Sequence, residues 1–288
     1  MKSADNLLDK HRQQRTLKTA LGSNASSRLG RRGENIVTRN TFFLSTQNFA
    51  GDEKMEVSAW LSFGARAYFS GYEGHSLDLM FGIDHLVTDN TLLGVMLGAG
   101  NSDLEDTVGN DTKTDSLLVG LYGAHRFSDS NIILDGYLTY AAVDYASGAT
   151  TFDTERILAG LTVSGTYDVA AGIVSPRARL SGAWEDFPAG AVGAVGGTTR
   201  QMLASVGAQM SWNTALPGTP LLPFASLDVE YGSAEEVGGL SDNFLAPRLG
   251  FGVSGTIGRG NLALSFDVGR TTSNVTDAGF EVSYAFKF

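Results

Sequence analysis

From Val57 onward the large apolar residues keep one parity through a segment, break at a turn, and resume. The first run is Val57, Ala59, Leu61, Phe63, Ala65, Ala67 and Phe69; the third is Leu93, Val95, Leu97 and Ala99; the eighth is Met202, Ala204, Val206, Ala208, Met210 and Trp212. Successive side chains of a strand point to opposite faces, so each run predicts a strand with one apolar face. Twelve such strands are predicted, the last being AGFEVSYAFKF, with Phe280, Val282, Tyr284, Phe286 and Phe288 on one parity and Gly279, Glu281, Ser283, Ala285 and Lys287 on the other. One such face is half of a sandwich core in water or a lipid-facing wall in a membrane, and the local pattern does not choose.

The connections choose. Thr88–Asn90, Ser128–Ser130, Asp168–Gly172, Asn213–Thr219 and Gly258–Gly260 read as short turns. Asn101–Thr112, Asp144–Asp153, Glu185–Thr199, Gly232–Asn243 and Thr271–Thr276 read as longer polar loops, with Gly71–Gly74 short among them. Long loops at every second connection and an even strand count suit an outer-membrane barrel better than a sandwich or propeller. Aromatic residues collect at both ends of the apolar runs, Phe69, Trp184 and Tyr231 at the long-loop end and Phe127, Tyr167, Trp212, Phe286 and Phe288 at the other, as two membrane–water interfaces favour. Pro176 and Pro223 lack the ladder donor and are expected near strand starts or bulges.

The parity opposite the apolar face is assigned Arg66, Asp78, Asp84, Asp115, Asp135, Arg156, Arg177, Arg179, Asp228, Glu230, Arg248 and Asp267. Charges there need water or partners, so this face is read as a polar lumen.

Composition narrows the alternatives. No stretch approaches the ~18 uninterrupted apolar residues of a spanning helix. With no cysteine, disulfide frameworks and thiolate metal sites are excluded. Charge is uneven: residues 1–40 hold nine Lys/Arg against three Asp/Glu, +6 in a chain of net −10, which leaves −16 for the remainder. The first thirty residues contain no apolar leader core, so no secretory signal is expected within them. Residues 1–52 form a basic segment ahead of a barrel at 53–288. Asp5 to Leu21 has good helix formers and an N-cap candidate at Ser3. Its bases Lys10, Arg12, Arg15 and Lys18, with Arg28, Arg31 and Arg32 beyond it, suit a segment lying in a wet acidic pore; the alternative is a solvated leader.

The stretch from Val57 to Phe288 resembles the translocator domain of autotransporters, the type V secretion family. The resemblance rests on Ala59-Trp60 in the opening strand, FGIDHLVTDNTLLGVMLGAG, GLYGAHRF, SPRARLSGAW, LPFASLDVEY and the aromatic-terminated AGFEVSYAFKF, in that order. It implies a twelve-stranded antiparallel transmembrane up-and-down β-barrel preceded by a segment, helical or irregular, that passes through the pore. It also implies that Phe280, Val282, Tyr284, Phe286 and Phe288 form the strand read by the barrel-assembly machinery. Self-cleaving members carry an Asn-Asn junction; here Asn24, Asn35 and Asn40 are isolated, so autocleavage is not carried over.

Other chemistry is weaker. GFGVSG at 250–255 matches a dinucleotide fingerprint only as a string, without the strand–turn–helix context. AGAVGAVGGTTR lacks the Lys-Ser/Thr of a phosphate loop and reads as a flexible loop. Asp84 and His85, as strand neighbours, face opposite sides and do not make an acid–base pair. Asp103, Glu105, Asp106, Asn110 and Asp111 miss the calcium-loop spacing, with Thr114 where a bidentate Glu belongs. The basic arm has no interleaved aromatics, so nucleic acid is not an expected partner.

The expectation is an all-β outer-membrane translocator that anchors and exports an N-terminal passenger not contained in this chain, with no catalytic site, cofactor or metal. Its expected partners are outer-membrane lipid, the barrel-assembly machinery and a covalently linked passenger, and it is expected to be monomeric in the bacterial outer membrane. The alternative is a stand-alone channel or adhesin with the arm as plug.

Overall fold

In a computed structural model of the chain the described residues are 57–70, 72–106, 111–128, 130–147, 150–188, 197–235 and 241–287. Ahead of them only the backbone of four short segments is described, Asn24–Ser26 paired with Thr41–Phe43 and Gly30–Arg31 paired with Asn35–Ile36. The helix expected over Asp5 to Leu21 lies outside the described residues.

Twelve long strands follow: β1 (Val57–Phe69), β2 (Tyr72–Thr88), β3 (Thr91–Asp106), β4 (Asp111–Arg126), β5 (Ile132–Ser147) and β6 (Thr150–Gly165, resumed as Tyr167–Val169). Then come β7 (Gly172–Phe187), β8 (Gly197–Trp212), β9 (Leu222–Glu235), β10 (Ser241–Ile257), β11 (Gly260–Arg270) and β12 (Thr276–Lys287). Each pairs antiparallel with its chain neighbours, and β12 pairs with β1 from Thr276↔Phe69 to Lys287↔Ser58, which closes the sheet into a barrel without a free edge. Val57 and Lys287 lie at one end, here the terminal end; the opposite end is the far end.

The alternation in sequence becomes alternation in burial. Met96 is 1% exposed and Leu97 58%; Leu118 is 7% and Leu117 70%. Leu61, Leu79, Val95, Leu121, Leu138, Leu161, Val206, Leu227 and Leu249 stand outward with Leu97 and Leu117 as one apolar belt around the barrel. A water-soluble protein rarely exposes a contiguous apolar patch beyond a few hundred Å². Lipid is the solvent that makes this belt stable. Phe69, Trp184 and Tyr231 edge it at the far end, and Phe127, Tyr167 and Trp212 at the terminal end.

Two features differ from expectation. Much of the polar sequence assigned to long far-end loops is strand: β3 runs to Asp106 and β4 starts at Asp111, β5 runs to Ser147 and β6 starts at Thr150. Hydrophobic patterning marks only the length of strand in contact with lipid, whereas the ladder continues into water wherever backbone partners continue. Likewise GTTR, the end of the glycine-rich stretch, belongs to β8. Pro176 falls inside β7 and pairs with Ala208 of β8, yet on its other side the β6–β7 ladder lapses between Ser164↔Arg177 and Tyr167↔Val174. The missing proline N–H sits at that gap. Pro223 is the second residue of β9, near a strand start.

Candidate functional site: the lumen wall

The inward parity has two sectors of different chemistry. On β2–β6 it carries Met80, Leu92, Met96, Leu118, Tyr122, Tyr137, Val143 and Leu158, buried apolar and aromatic side chains that continue onto Trp60 of β1 and are interspersed with Asp78, Asp84, Asp135 and Arg156. On β7–β12 it carries Arg177, Arg179, Gln209, Asp228, Glu230, Arg248, Asp267, Asp277 and Glu281, with Arg66 and Ser62 contributed by β1 across the seam. The lumen face is therefore charged on both sides, more densely on β7–β12, while on β2–β6 apolar side chains share the inward parity with the charges. The apolar sector escaped because inward apolar residues on these strands interrupt a simple two-letter pattern.

At the terminal end of the apolar sector a chain of hydrogen bonds fixes the rings. Trp60 Nε1 donates to Tyr122 Oη at 2.7 Å, Tyr122 Oη donates to Asp84 Oδ2 at 2.7 Å, and Ser58 Oγ donates to Asp84 Oδ1. The Trp60 and Tyr122 rings meet edge-on at 5.8 Å between centroids. Gly82 makes this possible, because a Cβ there would enter the Trp60 indole. Near the far end Glu185 is the hub: Arg156 Nε donates to Oε2 at 2.9 Å, and Thr154 Oγ1 and Tyr145 Oη donate to Oε1 at 2.6 and 2.9 Å. Arg156 is 1% exposed, so its charge requires this partner.

The charged sector contains a five-residue ionic network. Arg66 pairs with Asp277 and with Asp267, the latter at 2.7 Å; Arg248 pairs with Asp267, Asp277 and, at 3.3 Å, Glu230. Beside it Arg177 Nε donates to Asp228 Oδ1 at 2.8 Å, and Nη1 to Gln209 at 3.4 Å. Ser62 Oγ donates to Glu281 at 3.0 Å across the β1–β12 seam. Arg66, Asp78, Arg177, Arg179, Asp228 and Arg248 line a cavity of ≈ 60 Å³, room for a few waters.

Of the residues assigned to the lumen, Arg66, Asp78, Asp84, Asp135, Arg156, Arg177, Arg179, Asp228, Glu230, Arg248 and Asp267 lie on the inward parity. Asp115 does not: it is exposed on the outer face with Leu117, flanked in register by Asn101 and Asp144. Its parity is that of Leu117 and Leu121, and it is tolerated outward because β4 there has passed beyond the apolar belt. Sequence reading missed Asp277, Glu185 and Glu281 as lumen charges, although each has the parity opposite its outward neighbours Ala278, Trp184 and Phe280. Lys10, Arg12, Arg15, Lys18, Arg28, Arg31 and Arg32 lie outside the residues whose side chains are described, as does Phe288.

The last strand faces lipid with Phe280, Val282, Tyr284 and Phe286. The Phe251, Phe266 and Phe280 rings form a ladder over β10, β11 and β12 with centroid spacings of 5.5 and 4.8 Å. Tyr284 Oη donates to the Ile257 carbonyl at 3.0 Å, tying β12 to the end of β10.

Other sequence candidates reduce to wall structure. Gly250 and Gly252 of GFGVSG lie within β10, and the place a Cβ of Gly252 would take is filled by the Phe224 ring. Asp103 pairs with Lys113 at 3.0 Å, and among the described residues no group of three His, Asp or Glu is arranged to hold a metal.

A closed sheet, an apolar belt with aromatic edges and a charged lumen define a membrane-spanning β-barrel. Residues 57–248 match the autotransporter β-domain, and the chain belongs to that family, whose β-domain is the translocator. Solved structures of similar shape include the β-domain of the Bordetella autotransporter BrkA (18% identity, TM-score 0.67, covering 82% of this chain and 100% of that one). They also include the translocator domain of NalP from Neisseria meningitidis (16% identity, TM-score 0.61, 83% and 90% covered) and the transport unit of AIDA-I from Escherichia coli (11% identity, TM-score 0.58, 83% and 92% covered). Comparison with curated proteins found no match.

Proposed function

We propose that this chain anchors an autotransporter in the bacterial outer membrane and supplies the path by which a covalently attached passenger reaches the surface, without a catalytic step of its own. The observation that carries this reading is the family match over 57–248, which falls on a closed twelve-stranded barrel.

The division of labour follows from the wall. The outward belt holds the barrel in lipid through hydrophobic burial. Fixed lumen charges keep water in the pore, so a polypeptide passing through exchanges hydrogen bonds with water and charged side chains rather than with hydrocarbon. Residues 1–52, basic where the remainder is acidic, are the pore-spanning segment on this reading, and Coulomb attraction to the wall carboxylates retains them. The aromatic face of β12 is the feature the barrel-assembly machinery takes up, and the barrel works as a monomer.

The test is protease accessibility on intact cells carrying a signal peptide and an epitope-tagged reporter ahead of Met1. The reporter is expected to be shaved from outside while the barrel remains heat-modifiable and resistant. A reporter protected in the periplasm beside a folded barrel would remove export as the function.

A further inference from the structure

We propose that a groove on the outer wall of β1–β5 holds one membrane lipid with a phosphoethanolamine headgroup, its ammonium group on Asp144. Such a site needs only that the barrel stand in lipid, whatever the barrel exports.

Strand register lays the outward side chains in rows across the wall. Phe63, Leu79, Ala99, Leu117 and Ala142 make one row of the apolar belt. Ala99 and Ala142 are short where Phe63, Leu79 and Leu117 are tall, and a groove of ≈ 500 Å³ opens over them. The next row toward the far end is Leu77, Asn101, Asp115, Asp144 and Asp153, of which the first four also line the groove. The groove is thus apolar within the belt and acidic at the belt's edge, the order in which a lipid carries its acyl chain and its headgroup.

Asp144 is the middle of three exposed carboxylates set directly opposite one another on β4, β5 and β6. Like charges so placed repel. Among the described residues neither Asp115, Asp144 nor Asp153 has a hydrogen bond or ion pair to relieve this. One row further out the exposed Lys113 Nζ lies 3.0 Å from Asp103, with donors to spare for a second acceptor.

Carboxylates with a single cation beside them complement a zwitterion, its ammonium on Asp144 and its phosphate on Lys113. A primary ammonium brings three N–H donors, and opposed residues on neighbouring strands are ~5 Å apart at their Cα atoms, so one such group also reaches Asp115. A trimethylammonium has the charge without the donors, and a glycerol headgroup lacks the charge.

The experiment is native mass spectrometry of the full chain refolded in detergent, with phosphatidylethanolamine, phosphatidylcholine and phosphatidylglycerol of matched acyl chains added in turn. Phosphatidylethanolamine is expected to be retained about tenfold more than either other lipid, the scale of one hydrogen bond to a charged group. Asp144→Asn, and Ala99→Phe, which fills the groove, are each expected to abolish this preference in protein whose heat-modifiable mobility shows it folded. Asp186→Asn, an equal charge change on the outer face of β7 and outside the groove, is expected to match wild type. Equal retention of phosphatidylethanolamine and phosphatidylcholine by the wild-type protein would overturn the site, and that comparison does not depend on any variant folding. So would a preference that survives both groove variants, or one that falls equally in Asp186→Asn. Retention of phosphatidylglycerol that matches phosphatidylethanolamine once magnesium is added would replace the amine with a metal-bridged phosphate and overturn the site as well.

Discussion

Arg66 on the first strand and Asp277 on the last form an ion pair across the seam where the barrel closes, between residues 211 positions apart in sequence. Arg66 is 7% and Asp277 0% exposed, and Asp277 also receives Arg248. Seam and lumen network are therefore one unit. Removing one member leaves a buried charge without its partner, so Arg66→Ala and Asp277→Ala are each expected to destabilise the barrel by about 3–5 kcal/mol. The double variant should cost clearly less than the sum. Urea unfolding in detergent, followed by tryptophan fluorescence, checks this; strict additivity would mean the pair is not coupled.

Two glycines are expected to behave as space rather than as flexibility. A Cβ at Gly279 would meet the Arg66 guanidinium, and one at Gly82 the Trp60 ring. Gly279→Val and Gly82→Val should each cost about 1–3 kcal/mol by overpacking. Partial recovery of Gly82→Val by Trp60→Leu would identify the ring as the obstacle, measured by the same unfolding curves.

On the outer face the cost of a charge depends on depth. Leu97→Arg, within the apolar belt, should destabilise by about 2–4 kcal/mol in lipid. Asp115→Asn, beyond the belt, should stay within about 0.5 kcal/mol. Equal effects from the two in reversible folding into phospholipid vesicles would place the belt elsewhere.

Glu185 accepts from Arg156, Thr154 and Tyr145, so its loss should outweigh that of any one donor. Tyr145→Phe is expected to cost about 1 kcal/mol, against about 3–5 kcal/mol for Glu185→Ala, which strands Arg156. Thermal unfolding in detergent ranks them.

If the aromatic face of β12 is an assembly signal, Phe286→Ser should lower insertion in cells more than it lowers refolding of purified protein. Comparing heat-modifiable protein in outer-membrane fractions with refolding yield in detergent tests this. Equal losses in both would make Phe286 a packing residue only.

Much of the architecture is legible in the amino-acid sequence itself. The runs from Val57–Phe69 to Phe280–Phe286 specify strands, their number and the face each presents, because a two-residue period is set by local backbone geometry and needs no distant contact. Lumen parity extends equally to Asp277, Glu185 and Glu281, and excludes Asp115, when each is counted against its own strand rather than by charge.

Which inward residues meet was decided by the closed sheet. Register places Asp135, Thr162 and Arg179 in one row, puts Gly279 beneath Arg66, and gathers Arg66, Glu230, Arg248, Asp267 and Asp277 from β1, β9, β10, β11 and β12. The same closure sets a wall rich in apolar and aromatic side chains against one denser in charge. Alternation reports only that a side chain points inward; its neighbours depend on ladder offsets and ring closure, which couple residues far apart in sequence and are therefore determined by the tertiary structure alone.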